Sequence, residues 1–207
     1  MQQIAILLFE RVTALDAVGP YEVLSRIPGY ETTFVGLEPG VVRTDNNRLG
    51  LAVDAPITDF PSPSVIVIPG GVGARVAMKD ERILRWVRRA HETTQWTTSV
   101  CTGSFILGAA GLLDGVDATT HWTCFDDLAA TGANPVSERV VTRGKVVTAA
   151  GVSAGIDMAL TLAAKLGGEQ LARAIQLGIE YDPDPPFDAG SPDKVEPGIV
   201  ELVCQLI

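Results

Sequence analysis

Trp96-Thr97-Thr98-Ser99-Val100-Cys101-Thr102-Gly103-Ser104 is the stretch that decides the fold. Its first five residues read as a β-strand, and Thr102–Leu112, rich in small and apolar residues, continues at once as a buried helix that Gly111 helps to end. No linker separates the two, so Cys101 stands at a strand-to-helix corner. In such an elbow the corner side chain projects above the sheet on a strained turn, and small neighbours such as Ser99, Gly103 and Ser104 relieve crowding. The start of a helix adds free N–H groups and a positive field, which favour thiolate over thiol. A free cysteine taken singly is usually an inert buried hydrophobe, and Cys124 and Cys204 are read that way. The corner position assigns Cys101 to chemistry instead.

Outward from the elbow, short β-branched runs alternate with helical patterns, as in parallel strands joined by crossover helices. Ser64–Ile68 is the clearest central strand, because its unbroken Val-Ile-Val-Ile suits a strand covered on both faces. It leads into Pro69-Gly70-Gly71-Val72-Gly73 and a helix near Glu81–Thr93. Toward the N-terminus lie a strand at Gln3–Phe9, a helix at Thr13–Arg26 that Pro20 should kink or split, and a strand at Tyr30–Leu37. Val41–Asp54, with Asp45-Asn46-Asn47 in its middle, reads as a hairpin or bulged edge. Toward the C-terminus come a short strand at Ala118–His121, a second hairpin around Arg143-Gly144 with arms Val136–Thr142 and Lys145–Thr148, and helices at Val152–Leu166 and Glu169–Gly178. The prolines of Tyr181–Asp188 make a stiff loop, and Val195–Ile207 closes the chain as a helix. The expected fold class is α/β with a mainly parallel central sheet, carried by one domain over residues 1–207.

The chain's composition, 46% hydrophobic and 20% charged, provides a sizeable core and excludes an extended disordered protein. A net charge of −9 repels phosphate backbones and anionic lipid, so neither nucleic acid nor a membrane surface is an expected partner. The opening MQQIAILLFERV lacks a cationic leader, its apolar run stops at Glu10 and Arg11, and no window reaches the ~18–20 apolar residues of a spanning helix. The cytoplasm is the default location. The three cysteines are scattered without a close pair, and only His91 and His121 accompany them, so free thiols are expected and a metal is not.

Four other features accompany Cys101. The glycine turn ends the neighbouring strand, so the Gly71 N–H together with the Thr102 N–H would suit an oxyanion hole; a glycine turn with no chemical duty is equally common. It is no phosphate loop, since the Lys-Ser/Thr ending is missing. Asp16 follows the first strand by one helical turn, at the same carboxyl edge, where a carboxyl group would shuttle protons to a thiol; from spacing alone, its reading as a solvated or capping acid prevails. His121 ends a short strand on that edge, either as a Cys–His partner or as a core histidine beside Trp122. His91 lies among Arg88, Arg89 and Glu92 and reads as solvated surface.

Asp16, the Pro69-Gly70-Gly71 turn, the Ser99–Ser104 elbow and Ala118–His121, in this order and across almost the whole chain, resemble the ThiJ/PfpI superfamily. That resemblance implies a flavodoxin-like three-layer sandwich related to class I glutamine amidotransferases, a nucleophile elbow and a homodimer. Asp16 departs from the glutamate more common at its position, and Thr102 departs from the histidine that follows the cysteine in protease-like members. These departures, with Gly151-Val152-Ser153-Ala154-Gly155-Ile156-Asp157 and the tail from Tyr181 to Pro192, look like the isonitrile hydratase branch. The implied chemistry joins an isonitrile to the Cys101 thiolate, with Asp16 as acid and base, Thr102 beside them, and no cofactor. Gly70, Gly71, Ile156, His121 and Asp182 are the implied pocket residues, with the Tyr181–Phe187 loop either a pocket wall or a surface brace. The elbow itself does not separate this activity from a cofactor-free glyoxalase or hydrolase. The resemblance also reaches the sensor domains of AraC-type regulators; the acidic chain, ending at Ile207 without a helix-turn-helix, is expected not to bind DNA.

Overall fold

A computed structural model describes residues 1–206 of the chain. The chain enters through β1 (Gln2–Leu7), α1 (Ala14–Leu24) and β2 (Tyr30–Gly36), then folds the β3–β4 hairpin (Gly40–Arg43 and Gly50–Val53) and the short β5 (Ala55–Pro56). Its centre is β6 (Val65–Ile68), α2 (Ala74–Ala77), α3 (Glu81–Thr93), β7 (Trp96–Val100) and α4 (Gly103–Ala109). There follow β8 (Asp117–Ala118), α5 (Phe125–Ala129), β9 (Asn134–Pro135), the hairpin of β10 (Val140–Arg143) and β11 (Val146–Ala149), and the helices α6 (Ala154–Gly167), α7 (Glu169–Gly178) and α8 (Pro197–Leu206).

The main sheet has the order β10-β11-β7-β6-β1-β2-β5 and is parallel at every pairing except β10–β11. α1, α6 and α7 pack together as one layer, and α2, α3 and α5 pack against or around α4 as the other. The result is the expected three-layer α/β sandwich. Every residue of β6 is fully buried, as a two-face covered strand requires. β7 is more unusual, a central strand whose Thr97, Thr98 and Ser99 have no exposed surface. Two of these hydroxyls are satisfied locally: Thr98 Oγ1 donates to the Ile66 carbonyl at 2.9 Å, and Thr97 Oγ1 lies 2.8 Å from both Thr94 Oγ1 and His91 Nδ1. His91 is thus half-buried and bonded, rather than solvated.

Several expectations need correction. α1 passes through Pro20 without splitting. A proline there removes the N–H that would bond the Asp16 carbonyl, and packing holds the helix together, with the buried Pro20 ring against Gly155 of α6. The strand expected at Ala118–His121 stops at Ala118, after which the chain turns into a 3-10 segment at Trp122–Cys124. α5 and β9, at five and two residues, are too short for periodicity to announce. The last helix begins at Pro197, and Ile207 lies outside the described residues. Among the described residues no helix is long and apolar enough to cross a membrane.

The elbow's position depends on how closely α4 approaches β6. A β-carbon on Gly103 would stand 2.0 Å from the Ile68 carbonyl oxygen, so only glycine fits there without backbone movement. Gly103→Ala is expected to destabilise the fold by about 1–3 kcal/mol or more in urea unfolding, through overpacking. Gly178→Ala, which meets open space at the end of α7, should stay within about 1 kcal/mol of the parent or exceed it. Equal stability of the two variants would show that the α4–β6 approach is not under steric control.

Candidate active site

Cys101 has φ of 55°, in the left-handed region that costs a non-glycine residue about 1–3 kcal/mol. The surrounding structure holds it there. Its N–H donates to the carbonyls of Ala149 (3.0 Å) and Ala150 (3.2 Å), and its carbonyl accepts from Ser104 Oγ and Thr120 Oγ1, both at 3.0 Å. The Cys101 sulfur, on a residue only 6% exposed, has the backbone N–H groups of Thr102 and Val152 near enough to favour its thiolate. Val152 is itself at positive φ, 33°, at the turn into α6.

Asp16, in the first turn of α1, is completely buried. Its Oδ2 accepts the Gly70 N–H at 2.9 Å, across 54 residues of sequence, while Oδ1 has no hydrogen-bond partner of ordinary geometry. The Cys101 thiol is close enough to favour the carboxylate. Folding therefore brings Asp16 and Cys101 together.

The glycine turn is arranged differently from the oxyanion hole expected of it. Gly71 N–H donates to Thr102 Oγ1 at 2.9 Å, and the Thr102 hydroxyl donates back to the Gly71 carbonyl at 3.1 Å. With Gly70 N–H on Asp16 and Gly71 N–H on Thr102, the turn's amides clamp side chains instead of facing a reacting atom. The Thr102 hydroxyl is likewise engaged and does not orient Asp16. Gly70 has no alternative, since a β-carbon there would stand 2.6 Å from Thr102 N and 2.9 Å from Asp16 Oδ2.

Electrostatics reverse the expectation of a low-pKa thiol. Burial pushes the Cys101 thiol up to about 12, the neighbouring Asp16 charge pushes the same way, and the Thr102 and Val152 amides only moderate the rise. Burial likewise pushes the Asp16 carboxyl up to about 7; the Gly70 N–H opposes this, the Asp45 charge adds to it, and the thiol opposes it. Near neutral pH the pair therefore holds a thiol beside a carboxyl that is poised to gain or lose a proton. Asp45, which sequence marked only as a turn residue, braces this arrangement: Oδ2 accepts from Thr13 Oγ1 and Oδ1 accepts from Val72 N–H at 3.0 Å.

Beside the elbow lies a cavity of about 420 Å³, walled by Thr119, Thr120, His121 and Trp122 on one side and Gly151, Val152 and Ser153 on another. Cys101, Asp16 and Thr102 do not line it; its links to the elbow are Thr120, bonded to the Cys101 carbonyl, and Val152, whose amide lies near the sulfur. His121 thus lines the cavity, but its Nδ1 lies 2.8 Å from Thr123 Oγ1, and burial lowers its pKa, keeping the ring neutral near pH 7. Ile156 packs against α1 at Gly19 and is not in the cavity wall. Asp182 is exposed on the tail, which reaches the cavity eight residues later, at Gly190, Ser191 and Pro192. A larger groove of about 580 Å³, between the β3–β4 hairpin and α2–α3, includes none of the candidate residues. Among the described residues no group of three or more His, Cys, Asp or Glu side chains could hold a metal ion.

The arrangement suits addition of sulfur to a small electrophile coupled to movement of one proton between thiol, carboxyl and substrate. Val152 and Asp45 contribute to it without any local signal of their role; only the Gly151–Asp157 run, noted for its resemblance, drew attention to the former.

Comparison with known proteins places the chain in a family. The sequence pattern of the DJ-1/PfpI family matches residues 2–165. An isonitrile hydratase of Pseudomonas putida is 45% identical over 199 residues, covering 96% of this chain and 87% of that protein. The HTH-type transcriptional regulator GbdR of Pseudomonas aeruginosa is 30% identical over 192 residues, 87% of this chain but only 51% of the regulator. The crystal structure of a ThiJ/PfpI family protein from Pseudomonas syringae superposes with a TM-score of 0.95 at 37% identity, covering 99% of this chain and 85% of that one. The elbow, the layered sheet and these matches converge, and the chain belongs to the DJ-1/PfpI family.

Proposed function

We propose that the protein is an isonitrile hydratase that converts isonitriles to N-substituted formamides through a covalent adduct on Cys101. The observation that carries the reading is the fully buried Asp16 carboxyl, held by the Gly70 N–H, beside the Cys101 thiol, and the 45% identity to the Pseudomonas putida hydratase supports it. A terminal isonitrile carbon accepts both a nucleophile and a proton, and this pair supplies both.

In the first step the Asp16 carboxylate takes the thiol proton as sulfur attacks the isonitrile carbon, then delivers that proton to the same carbon. A C–S and a C–H bond form, and a thioimidate results. Because Asp16 accepts the proton during attack, the high thiol pKa is no obstacle; it keeps the sulfur unreactive toward other electrophiles until substrate is in place. In the second step water adds to the thioimidate carbon with Asp16 as base. Nitrogen gains a proton, the C–S bond breaks with its electron pair on sulfur, and the formamide leaves as the thiol is restored. The chemistry balances without a metal or organic cofactor. The Thr102 and Val152 amides, near the sulfur, stabilise charge on it as it forms and departs, a different duty from the oxyanion hole expected of Gly71 and Thr102. The same reading takes the cavity beside His121 for the substrate's N-substituent, a homodimer for the assembly, and the cytoplasm for its location.

Turnover of a simple alkyl or aryl isonitrile, followed by formamide release, tests the reading. Cys101→Ser is expected to lower kcat/KM by about 10³-fold or more, and Asp16→Asn to abolish turnover while keeping an acceptor for the Gly70 N–H. Methylglyoxal run in parallel separates a glyoxalase of the same family, and saturable isonitrile binding without turnover would favour a sensor, as the similarity to GbdR allows.

The competent form carries an ionised Asp16 and a protonated thiol. kcat/KM is therefore expected to climb roughly tenfold per pH unit below about 7 and to level off above it, far from the range of an ordinary aspartate. A profile flat from pH 5 to 8 would remove Asp16 as the base.

Alkylation should respond to Asp16→Asn in the opposite sense to turnover. Removing the carboxylate charge takes away one of the three causes that raise the Cys101 pKa, the second largest after burial, so iodoacetamide labelling of the Cys101 peptide at pH 8, read by mass spectrometry, is expected to speed up in the inactive variant. Slower labelling would mean that Asp16 activates the resting thiol.

A further inference from the structure

His121 and Trp122, next in the chain after Thr120, are half-buried and border the 420 Å³ cavity. Their rings stack, with centroids 5.7 Å apart and planes 30° from parallel. Phe125 adds a third aromatic side chain to the lining. Gly151 and Val152 also line the cavity, and Gly151 meets the imidazole edge. A β-carbon on Gly151 would stand 2.4 Å from His121 Cδ2 and 3.2 Å from Nε2, so glycine is what leaves room for that edge.

Local hydrogen bonds decide where the imidazole proton sits. The Thr123 N–H donates to Nδ1 at 3.4 Å, and Thr123 Oγ1 lies 2.8 Å from the same nitrogen. Nδ1 is therefore the acceptor, and a neutral ring with its acceptor at Nδ1 carries its hydrogen on Nε2. Nε2 keeps accessible surface, and among the described residues it bonds no protein group. The cavity thus combines aromatic walls with a hydrogen-bond donor that lacks a partner. Ligand pockets fix orientation in this way, with a few placed polar groups among aromatic and apolar ones. Charge narrows the class of acceptor. Arg139 on the wall is already paired with Asp157, and Glu138 would repel an anion, so a neutral oxygen suits the donor better than a carboxylate does.

The hydratase reading puts the isonitrile carbon on the Cys101 sulfur. Val152, whose amide lies near that sulfur, also borders the cavity, so the N-substituent passes Val152 on its way to the aromatic side chains. Resting on that reading, we infer that the enzyme selects isonitriles whose N-substituent is an aromatic ring bearing a neutral hydrogen-bond acceptor. The ring lies along Trp122, and the acceptor receives the His121 Nε2–H. His121 is then a specificity-determining residue that neither gives nor takes a proton in the reaction.

The test compares kcat/KM within matched substrate pairs, so that intrinsic reactivity cancels between parent and variant. para-Acetylphenyl and para-isopropylphenyl isonitrile share a shape and differ in the acceptor, while phenyl and cyclohexyl isonitrile differ in flatness. His121→Phe is expected to lower the acetyl-to-isopropyl ratio about tenfold, the worth of one hydrogen bond. His121→Gln, which keeps an N–H donor, should retain most of that ratio, and His121→Leu carries the same comparison if the phenylalanine variant does not fold. Trp122→Leu should lower the phenyl-to-cyclohexyl ratio about threefold or more. An acetyl-to-isopropyl ratio that survives loss of the imidazole, a phenyl-to-cyclohexyl ratio indifferent to Trp122→Leu, or a parent that prefers para-carboxyphenyl to para-acetylphenyl isonitrile would each overturn the assignment. Any of these in a parent that turns isonitriles over defeats this inference alone. A parent that turns over none of them defeats the hydratase reading and this one with it.

Discussion

A carboxyl group with no exposed surface stays ionisable only through the few groups that touch it, and for Asp16 the main one is the Gly70 N–H at 2.9 Å. That bond joins the first turn of α1 to the turn after β6, and the rest of the site is arranged around it. Gly70 lacks a side chain because Thr102 and Asp16 already occupy the space where one would stand. Gly71 then binds Thr102 in both directions, which ties the residue after the cysteine to the same turn. Gly103 lets α4 lie close enough to β6 for that bond to form. One contact between distant segments thus fixes the corner from which the thiol projects.

The competition that sets the thiol's protonation can be decided by magnitude. A helix N-terminus contributes about 0.3–1 kcal/mol in ordinary cases and ~2 in favourable ones, or roughly one pKa unit at 1.36 kcal/mol per unit. Full burial shifts a group by up to ~3–5 units, and an adjacent carboxylate adds to the rise. α4 is only seven residues long, so its field is at the weak end. Burial wins, and the pair rests with its proton on sulfur. In the proposed mechanism no standing thiolate is needed, because the carboxyl raised to about 7 is already in place as the base when the electrophile arrives.

The cavity side of the elbow is built from connections, not from regular elements. Thr119–Trp122 and Gly151–Ser153 contribute side chains and amides, and the tail closes in at Gly190–Pro192. The sheet holds these loops in place from below: Thr148 of β11 anchors Thr119, and Ala149 and Ala150 receive the Cys101 N–H. Loops carried on a rigid sheet are where chemistry is usually placed, because they vary without disturbing the core.

Much of the architecture was legible in the chain itself. The alternation of apolar runs with helical patterns, the all-aliphatic β6 and the abrupt passage from Val100 to Gly103 are local signals, and the backbone obeys them wherever tertiary packing does not object. Where packing objected, local reading failed: Pro20 lies inside a continuous helix, and β8 ends three residues early. The candidate nucleophile was legible for the same local reason, since a corner is a property of adjacent residues. Only the folded chain decided that Asp16 meets Cys101, that Gly71 clamps Thr102, and that the Val152 amide lies near the sulfur. The sign of the thiol's pKa shift belongs with these. Desolvation is the sum of everything packed around a group from all parts of the chain, and no run of neighbouring residues contains that sum.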